Sequence, residues 1–196
     1  MITPVQFREL FVSVLILLGI TISGNVVAND ELWSTLAEGG KVLIMRHAPV
    51  MQGRENGNSL VRDPSCQKER NLSDEGKLKA VLLGKKFKAL HIPVSEVRHS
   101  PYCRTTDTAR LVFGEGVPEK SLSLLEVLET DESAQQTDQL NQIIGSYSGK
   151  GNLVLISHEP NISAVSFEQA KYLDFVVFQP IGGNEFEELG IARFSD

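Results

Sequence analysis

Short apolar runs alternate with helical patterns along most of this chain, and that alternation restricts the fold more than any other feature. Residues 41–46 (KVLIMR) and 152–157 (NLVLIS) are mostly apolar and too short for helices, which is typical of strands buried on both faces. Residues 94–99, 175–178 and 185–193 are further strand candidates. Strands that alternate with helices predict an α/β fold, and we expect a three-layer α/β/α sandwich around a mostly parallel central sheet.

Helical patterns occupy the intervals between these strands. We expect a helix over residues 73–90, which opens with a serine N-cap and acidic residues. Further helices are expected over 101–113 and 134–147, a short one at 161–167, and a short strand at 121–125. The apolar side chains expected to pack the first of these helices are Leu78, Leu82, Leu83 and Phe87.

The first 28 residues differ from the rest of the chain. A polar head containing Arg8 precedes an apolar stretch over residues 10–22, and small residues then lead to Ala28. This order is typical of a secretory signal peptide cleaved after Ala28. An uncleaved N-terminal anchor is the alternative, although the stretch is shorter than the roughly 20 residues of a spanning helix. We therefore expect residues 29–196 to form one periplasmic or secreted domain, which contacts a membrane only if the leader is retained.

The chain contains two cysteines, Cys66 and Cys103. In an exported protein an even number of cysteines suggests a disulfide, so we expect these two to be bonded. Two separate thiols, at least one packed in the core, are the alternative.

Charge and histidine spacing argue against two classes of protein. The formal net charge is −6, whereas a nucleic-acid partner requires a basic face. The four histidines lack the short spacing of zinc ligands, so we expect no metal site. A small anionic substrate is still compatible with this charge, because it needs only a local positive pocket.

Arginine and histidine side chains directly follow three of the expected strands. Arg46 and His47 come at the end of the first, SPYCR (100–104) follows the second, and His158 follows the run at 152–157. Because the carboxyl ends of parallel strands meet at one edge of a sheet, these groups should lie together. A transferred phosphoryl group needs fixed positive donors, and a neutral histidine beside guanidinium groups can attack phosphorus. The pattern therefore predicts a phosphate site.

Four segments resemble the histidine phosphatase superfamily, also called the phosphoglycerate mutase-like family. Arg46-His47-Ala48 resembles its Arg-His-Gly signature, and residues 100–109 (SPYCRTTDTA) resemble its Ser-Pro-x-x-Arg-x-x-x-Thr-Ala block. His158 resembles its second strand-end histidine, and residues 71–76 (NLSDEG) resemble its Leu-Thr-x-x-Gly helix start. The resemblance spans roughly residues 40–178, with the motifs in the family's order. It implies the phosphoglycerate mutase-like fold.

The resemblance also implies roles for individual residues. His47 resembles the nucleophile that becomes phosphorylated, while Arg46, Arg104 and His158 resemble the remaining catalytic and substrate-binding groups of the phosphate pocket. The family uses no metal and needs no cofactor. Its small exported members also carry a Glu-Leu-Trp-like helix, as residues 31–33 do here.

The acid that protonates the leaving oxygen is expected to be a carboxylic acid. In many members it follows a short strand between the second arginine and the second histidine, which points to Glu126. Glu129 is a nearby alternative. Another branch places the acid directly after the second histidine, which points to Glu159.

The leading hypothesis is an exported phosphatase that hydrolyses a small phosphate monoester, such as a sugar phosphate or an envelope glycan phosphate, through a phosphohistidine on His47. A phosphomutase and a non-catalytic phosphate-binding module of the same fold are the alternatives. Ser100 does not lie in a Gly-x-Ser-x-Gly elbow, so a serine hydrolase is disfavoured.

Overall fold

The computed structural model describes residues 24–194, with side chains from Asn29 onward. Its strands are β1 (Val42–Arg46), β2 (Val94–His99), β3 (Val117–Pro118), β4 (Asn152–Ser157), β5 (Phe175–Gly182) and β6 (Glu185–Ala192). Its α-helices are α1 (Gly24–Ala37), α2 (Asp74–Ala89), α3 (Cys103–Phe113), α4 (Thr130–Gly145) and α5 (Glu159–Ser163). Short 3-10 helices cover Arg54–Asn56, Lys120–Leu122 and Leu125–Val127.

The six strands form one sheet in the order β3-β2-β4-β1-β5-β6. The pairs β2–β3, β2–β4 and β1–β4 are parallel, whereas β5 runs antiparallel to β1 and β6 antiparallel to β5. The predicted α/β fold with a mostly parallel sheet is therefore confirmed. β1 and β4, whose sequences are mostly apolar, lie at the centre of this sheet.

The three layers follow from the side-chain alternation of the central strands. In β1, Leu43 and Met45 pack into a cluster with Trp33 and Phe175 on one face, and Val42 joins a second cluster on the other face. All four residues from Val42 to Met45 are fully buried. A strand covered on both faces is consistent with its nearly continuous apolar sequence.

Two expectations about local structure are wrong. Residues 121–125 do not form a strand but lie in two 3-10 turns, and their backbone bonds to side chains rather than to a neighbouring strand. In α2, Leu83 and Phe87 are buried as expected, but Leu78 and Leu82 are exposed. The buried face of α2 uses small residues instead, because Gly84 packs against the backbone of α3 at Val112. The spacing of apolar residues alone predicts a wider buried face than this helix has.

Cys66 and Cys103 form a disulfide, as expected, with their Cα atoms 5.8 Å apart. The bond joins the long loop over residues 48–71 to the first residue of α3. It therefore fixes the loop beside Arg104, the next residue in the chain.

Loss of this disulfide is expected to lower the free energy of unfolding by about 3–4 kcal/mol, because it closes a loop with a sequence separation of 37 residues. The comparison is urea unfolding of the wild type and a Cys66→Ser/Cys103→Ser variant, each with and without reductant. Reductant should destabilise only the wild type. Equal stability of wild type and variant would show that the cross-link does not constrain the unfolded chain.

The proposed signal segment lies largely in residues 1–23, outside the described part, and the expected cleavage point after Ala28 falls within α1. From Asn29 onward α1 packs on the domain. Asn29 exchanges two hydrogen bonds with the backbone of Arg193, and the Trp33 ring meets Phe87 and Phe175 edge-on. Within residues 24–194, no helix is both long and apolar enough to cross a membrane.

Candidate active site

Three parallel strands bring the predicted site residues to one edge of the sheet. In the order β2-β4-β1, Arg46 pairs with Ser157 and His99 pairs with Ile156, so the three strands end almost level. The next backbone hydrogen bonds, from His47 N to the Ser157 carbonyl and from Ser100 N to the Ile156 carbonyl, continue this register. Arg46, His47, Arg104 and His158 are thereby brought together, as the sequence predicted.

His47 is held as a neutral imidazole with a defined tautomer. Its Nδ1 lies 2.8 Å from the carbonyl oxygen of Ala48, an acceptor, so Nδ1 carries the proton. Its Nε2 accepts a hydrogen bond from Nε of Arg104 at 3.2 Å. Burial first, and then the charges of Arg104 and Arg46, lower the pKa of His47 to about 3, against an opposing effect of the Ala48 carbonyl. Nε2 is therefore unprotonated, and its lone pair becomes free to attack when the Arg104 Nε–H turns to an anionic ligand.

Arg104 connects the two histidines. Besides donating Nε–H to His47, it donates from Nη2 to Nδ1 of His158 at 3.1 Å and to the Ser59 carbonyl at 3.1 Å. Arg104 is only 3% exposed, and its Nη1 is buried without a hydrogen-bond partner among the described residues. The guanidinium thus occupies the centre of the site with one donor uncommitted, which suits an anionic ligand.

His158 forms the opposite wall and pairs with Ser100. Its Nε2 lies 2.8 Å from Ser100 Oγ, and burial, followed by the charge of Arg104, lowers its pKa well below the usual value. Because Arg104 donates to Nδ1, the proton of His158 lies on Nε2 and points to Ser100. The hydroxyl of Ser100 can accept or donate, so it supports either neutral tautomer of His158. A histidine whose basicity is lowered in this way is a poor base for a serine nucleophile.

Arg46 lines the site from the β5 side. Its Nη1 donates to the Ala170 carbonyl at 2.9 Å, and its guanidinium carbon lies 4.2 Å from the ring centre of Tyr172. Its Nε is buried and has no partner within residues 24–194. Tyr172, which the sequence did not single out, also lies with its ring centre 5.5 Å from that of His47. The ring therefore fixes Arg46 beside His47 by a cation–π contact.

A buried carboxylate that sequence reasoning missed supports Arg104. Glu69 is 1% exposed and accepts hydrogen bonds from the backbone N–H of Cys103 and of Asp63. Its negative charge opposes the lowering of the Arg104 pKa that burial causes. Glu69 resembles the other charged residues of its loop in the sequence, so only the packing of that loop distinguishes it.

The three candidate acids lie in different settings. Glu126 is exposed and lies in the 3-10 turn Leu125–Val127, while Glu129 is exposed at the N-cap of α4. Glu159 directly follows His158 and accepts a hydrogen bond from Ser163 Oγ at 2.6 Å within its own helix. Within residues 24–194 the carboxylates of Glu126 and Glu129 are both free of hydrogen bonds, and the assignment of the acid stays a prediction.

The part of the chain from 24 to 194 contains no group of three or more His, Cys, Asp or Glu side chains arranged to hold a metal ion. Its site consists of two imidazoles and two guanidinium groups.

Acidification is expected to destabilise the fold below pH 6.5. Unfolded histidine titrates near 6.5, whereas folded His47 does so at about 3, so the unfolded state binds more protons between these values. The free energy of unfolding should therefore fall as the pH decreases, by about 1.4 kcal/mol per pH unit for each such histidine. Urea unfolding from pH 7 to pH 4.5 measures this slope. A His47→Asn variant with an unchanged slope would contradict the buried neutral imidazole.

Comparison with known proteins shows that this chain is similar in structure to several of them. No family model and no curated protein matches the sequence. The protein histidine phosphatase SixA, solved with tungstate, matches with a TM-score of 0.55 at 15% identity, over 76% of this chain and 93% of its own. The chain has the histidine phosphatase fold.

Two further structures extend this likeness. YhfR of Bacillus stearothermophilus matches with a TM-score of 0.57 at 13% identity, over 79% of this chain and 98% of its own. A mycobacterial glucosyl-3-phosphoglycerate phosphatase matches with a TM-score of 0.53 at 10% identity, over 76% and 97%. The histidine phosphatase fold thus accounts for about three quarters of the chain and confirms the fold that the motifs implied.

Proposed function

We propose that the protein is a phosphatase that hydrolyses a phosphate monoester through a phosphohistidine on Nε2 of His47. The observation that carries this proposal is the shared contact of Arg104 with both imidazoles, since it places a cation beside an unprotonated Nε2. Buried donors without protein partners on Arg46 and Arg104 add positive hydrogen-bonding groups at the same place. Such a set matches the charge on the oxygens of a transferring phosphoryl group.

The reaction proceeds in two balanced displacements. His47 Nε2 attacks phosphorus in line, the P–N bond forms, and the bond from phosphorus to the ester oxygen breaks. The departing oxygen takes a proton from the acid, which we assign to Glu126. Water then attacks the phosphohistidine, the P–N bond breaks, and the proton of that water returns to the Glu126 carboxylate.

His158 acts on the phosphoryl oxygens rather than as a base. Once the donors of Arg104 engage those oxygens, Nδ1 of His158 can carry the proton and donate it in a hydrogen bond, while the Ser100 hydroxyl donates to Nε2. The 2.8 Å contact between Ser100 and His158 supports this exchange of tautomers without movement of either residue.

We also propose that the domain lies outside the cytoplasm. The Cys66–Cys103 disulfide supports this location, because such bonds persist in oxidising compartments, and the apolar leader in the sequence agrees with it. The substrate class we propose is a small phosphate ester, such as a sugar phosphate or a phosphorylated envelope glycan. A neighbour of the same fold, glucosyl-3-phosphoglycerate phosphatase, acts on a sugar-containing phosphate by its name.

Release of inorganic phosphate from p-nitrophenyl phosphate by the purified protein tests the activity. We expect turnover without added metal and inhibition by tungstate, an anion that one structural neighbour binds. Tungstate binding without turnover on a broad ester panel would favour the binding module instead. Transfer of phosphate to a second position of a sugar, without release, would favour a mutase.

A further inference from the structure

Three buried polar side chains hold the short segment that carries Glu126. Asn161 of α5 accepts from the Leu125 backbone N–H at 3.4 Å and donates to the Ser123 carbonyl at 2.8 Å. Gln136 of α4 donates to the same carbonyl, and Ser157 at the end of β4 donates to the Leu122 carbonyl at 2.8 Å. Three different elements therefore bond the backbone of three residues, Leu122, Ser123 and Leu125, just before Glu126.

Burial of these groups argues that the backbone position is specified. Asn161 and Ser157 are fully buried, and a buried polar group that loses its hydrogen-bond partner destabilises the fold. An apolar side chain at the same place could fill the space but would leave the Leu125 N–H unpaired, and the Ser123 carbonyl would keep only the hydrogen bond from Gln136. The asparagine satisfies both, with one donor and one acceptor from a single amide.

The segment is also connected to His158 through α5. Asn161 lies three residues after His158, and the backbone N–H of Ile162 donates to the His158 carbonyl. Glu126 follows Leu125 directly and is exposed, so the hydrogen bonds to residues 122–125 fix the backbone from which its carboxyl group projects. Proton transfer requires that an acid lie within hydrogen-bond reach of the leaving oxygen.

We propose that Asn161 is a positioning residue that holds the backbone of residues 123–125 against α5 and thereby aims Glu126 at the leaving oxygen. This inference rests on the proposed phosphatase activity. It assigns a role to a side chain that the two-step reaction does not itself use.

Leaving groups of different acidity separate this role from a purely structural one. p-Nitrophenolate departs readily without a proton, whereas the butoxide of butyl phosphate needs one. In Asn161→Leu, kcat/KM for butyl phosphate should fall about 100-fold, but that for p-nitrophenyl phosphate should fall less than about 5-fold. Glu126→Gln should show the same split, and Glu159→Gln should not.

Asn152 provides a matched control at the opposite end of β4. It is also fully buried and bonds the backbone of Leu36, Lys41 and Pro93 through its side-chain amide. Asn152→Leu should lower the melting temperature without changing the ratio of the two activities. The pair Asn161→Asp and Asn152→Asp, which keep the side-chain shape, repeats the comparison if either leucine variant fails to fold.

An unchanged ratio in both Asn161 variants would overturn the inference while leaving the phosphatase activity intact. The same split in the Asn152 variants would show that the Asn161 effect is a general loss of stability. A split only in Glu159→Gln would assign the acid to Glu159 and overturn the inference. Failure of the wild type to release phosphate from either ester contradicts the proposed function itself, and the inference with it.

Discussion

Replacement of His47 by asparagine is expected to lower kcat for p-nitrophenyl phosphate by at least about 10⁴-fold. Asparagine can keep the hydrogen bond that Nδ1 donates to the Ala48 carbonyl, but it has no nucleophilic nitrogen at the position of Nε2. The loss should appear in kcat, because the phosphate-binding guanidinium groups remain. Initial rates of p-nitrophenol release over a range of substrate concentrations measure it.

His91→Asn is the control for this experiment. His91 is exposed after α2 at a φ of 52°, a conformation that asparagine adopts readily, so the variant should keep wild-type rates. Tungstate should still bind to His47→Asn and raise its melting temperature. Activity of His47→Asn within tenfold of wild type would exclude His47 as the nucleophile.

Arg104→Lys is expected to lower kcat/KM by about 10²–10³-fold, although the charge is conserved. A lysine presents one ammonium group, whereas Arg104 reaches His47, His158 and the Ser59 carbonyl at once and still has Nη1 to offer. The loss of the fork should weaken tungstate binding as well as turnover. Steady-state kinetics and tungstate titration measure the two effects.

Arg110→Lys on the same helix is the matched control. Arg110 is exposed on α3 and pairs with Asp107, so the change should leave both activity and tungstate affinity unaltered. If Arg104→Lys kept full activity and full tungstate affinity, the site would not require the planar guanidinium group of Arg104. Thermal unfolding of each variant separates a loss of the site from a loss of the fold.

The sequence was sufficient to predict the groups at the sheet edge. β1 and β4 are recognisable as buried apolar strands, and Arg46, His47 and His158 follow them directly, so their meeting at one edge depends only on parallel pairing. Arg104 was predictable for the same reason, as it lies in the first turn of the helix after β2. The family motifs and the physical pattern agree at these four positions.

The supporting residues could not be predicted, because their roles arise from long-range packing. Glu69 reaches Cys103 from a loop, Tyr172 reaches Arg46 from the connection before β5, and Asn161 reaches the segment before α4. Each contact joins segments whose separation in space depends on how a loop folds. The periodicity of the sequence does not predict that separation. The prediction of a strand over residues 121–125 is wrong for the same reason, since side chains rather than a neighbouring strand bond their backbone.

The phosphorylated enzyme itself gives the most direct test of the central claim. The protein is mixed with ³²P-labelled phosphate ester, quenched in alkali within milliseconds to seconds, digested and mapped by mass spectrometry. The account predicts a transient label that is stable to alkali and labile to acid, on the peptide that contains His47. Turnover without any such label, or a label on Ser100 or another residue, would contradict it.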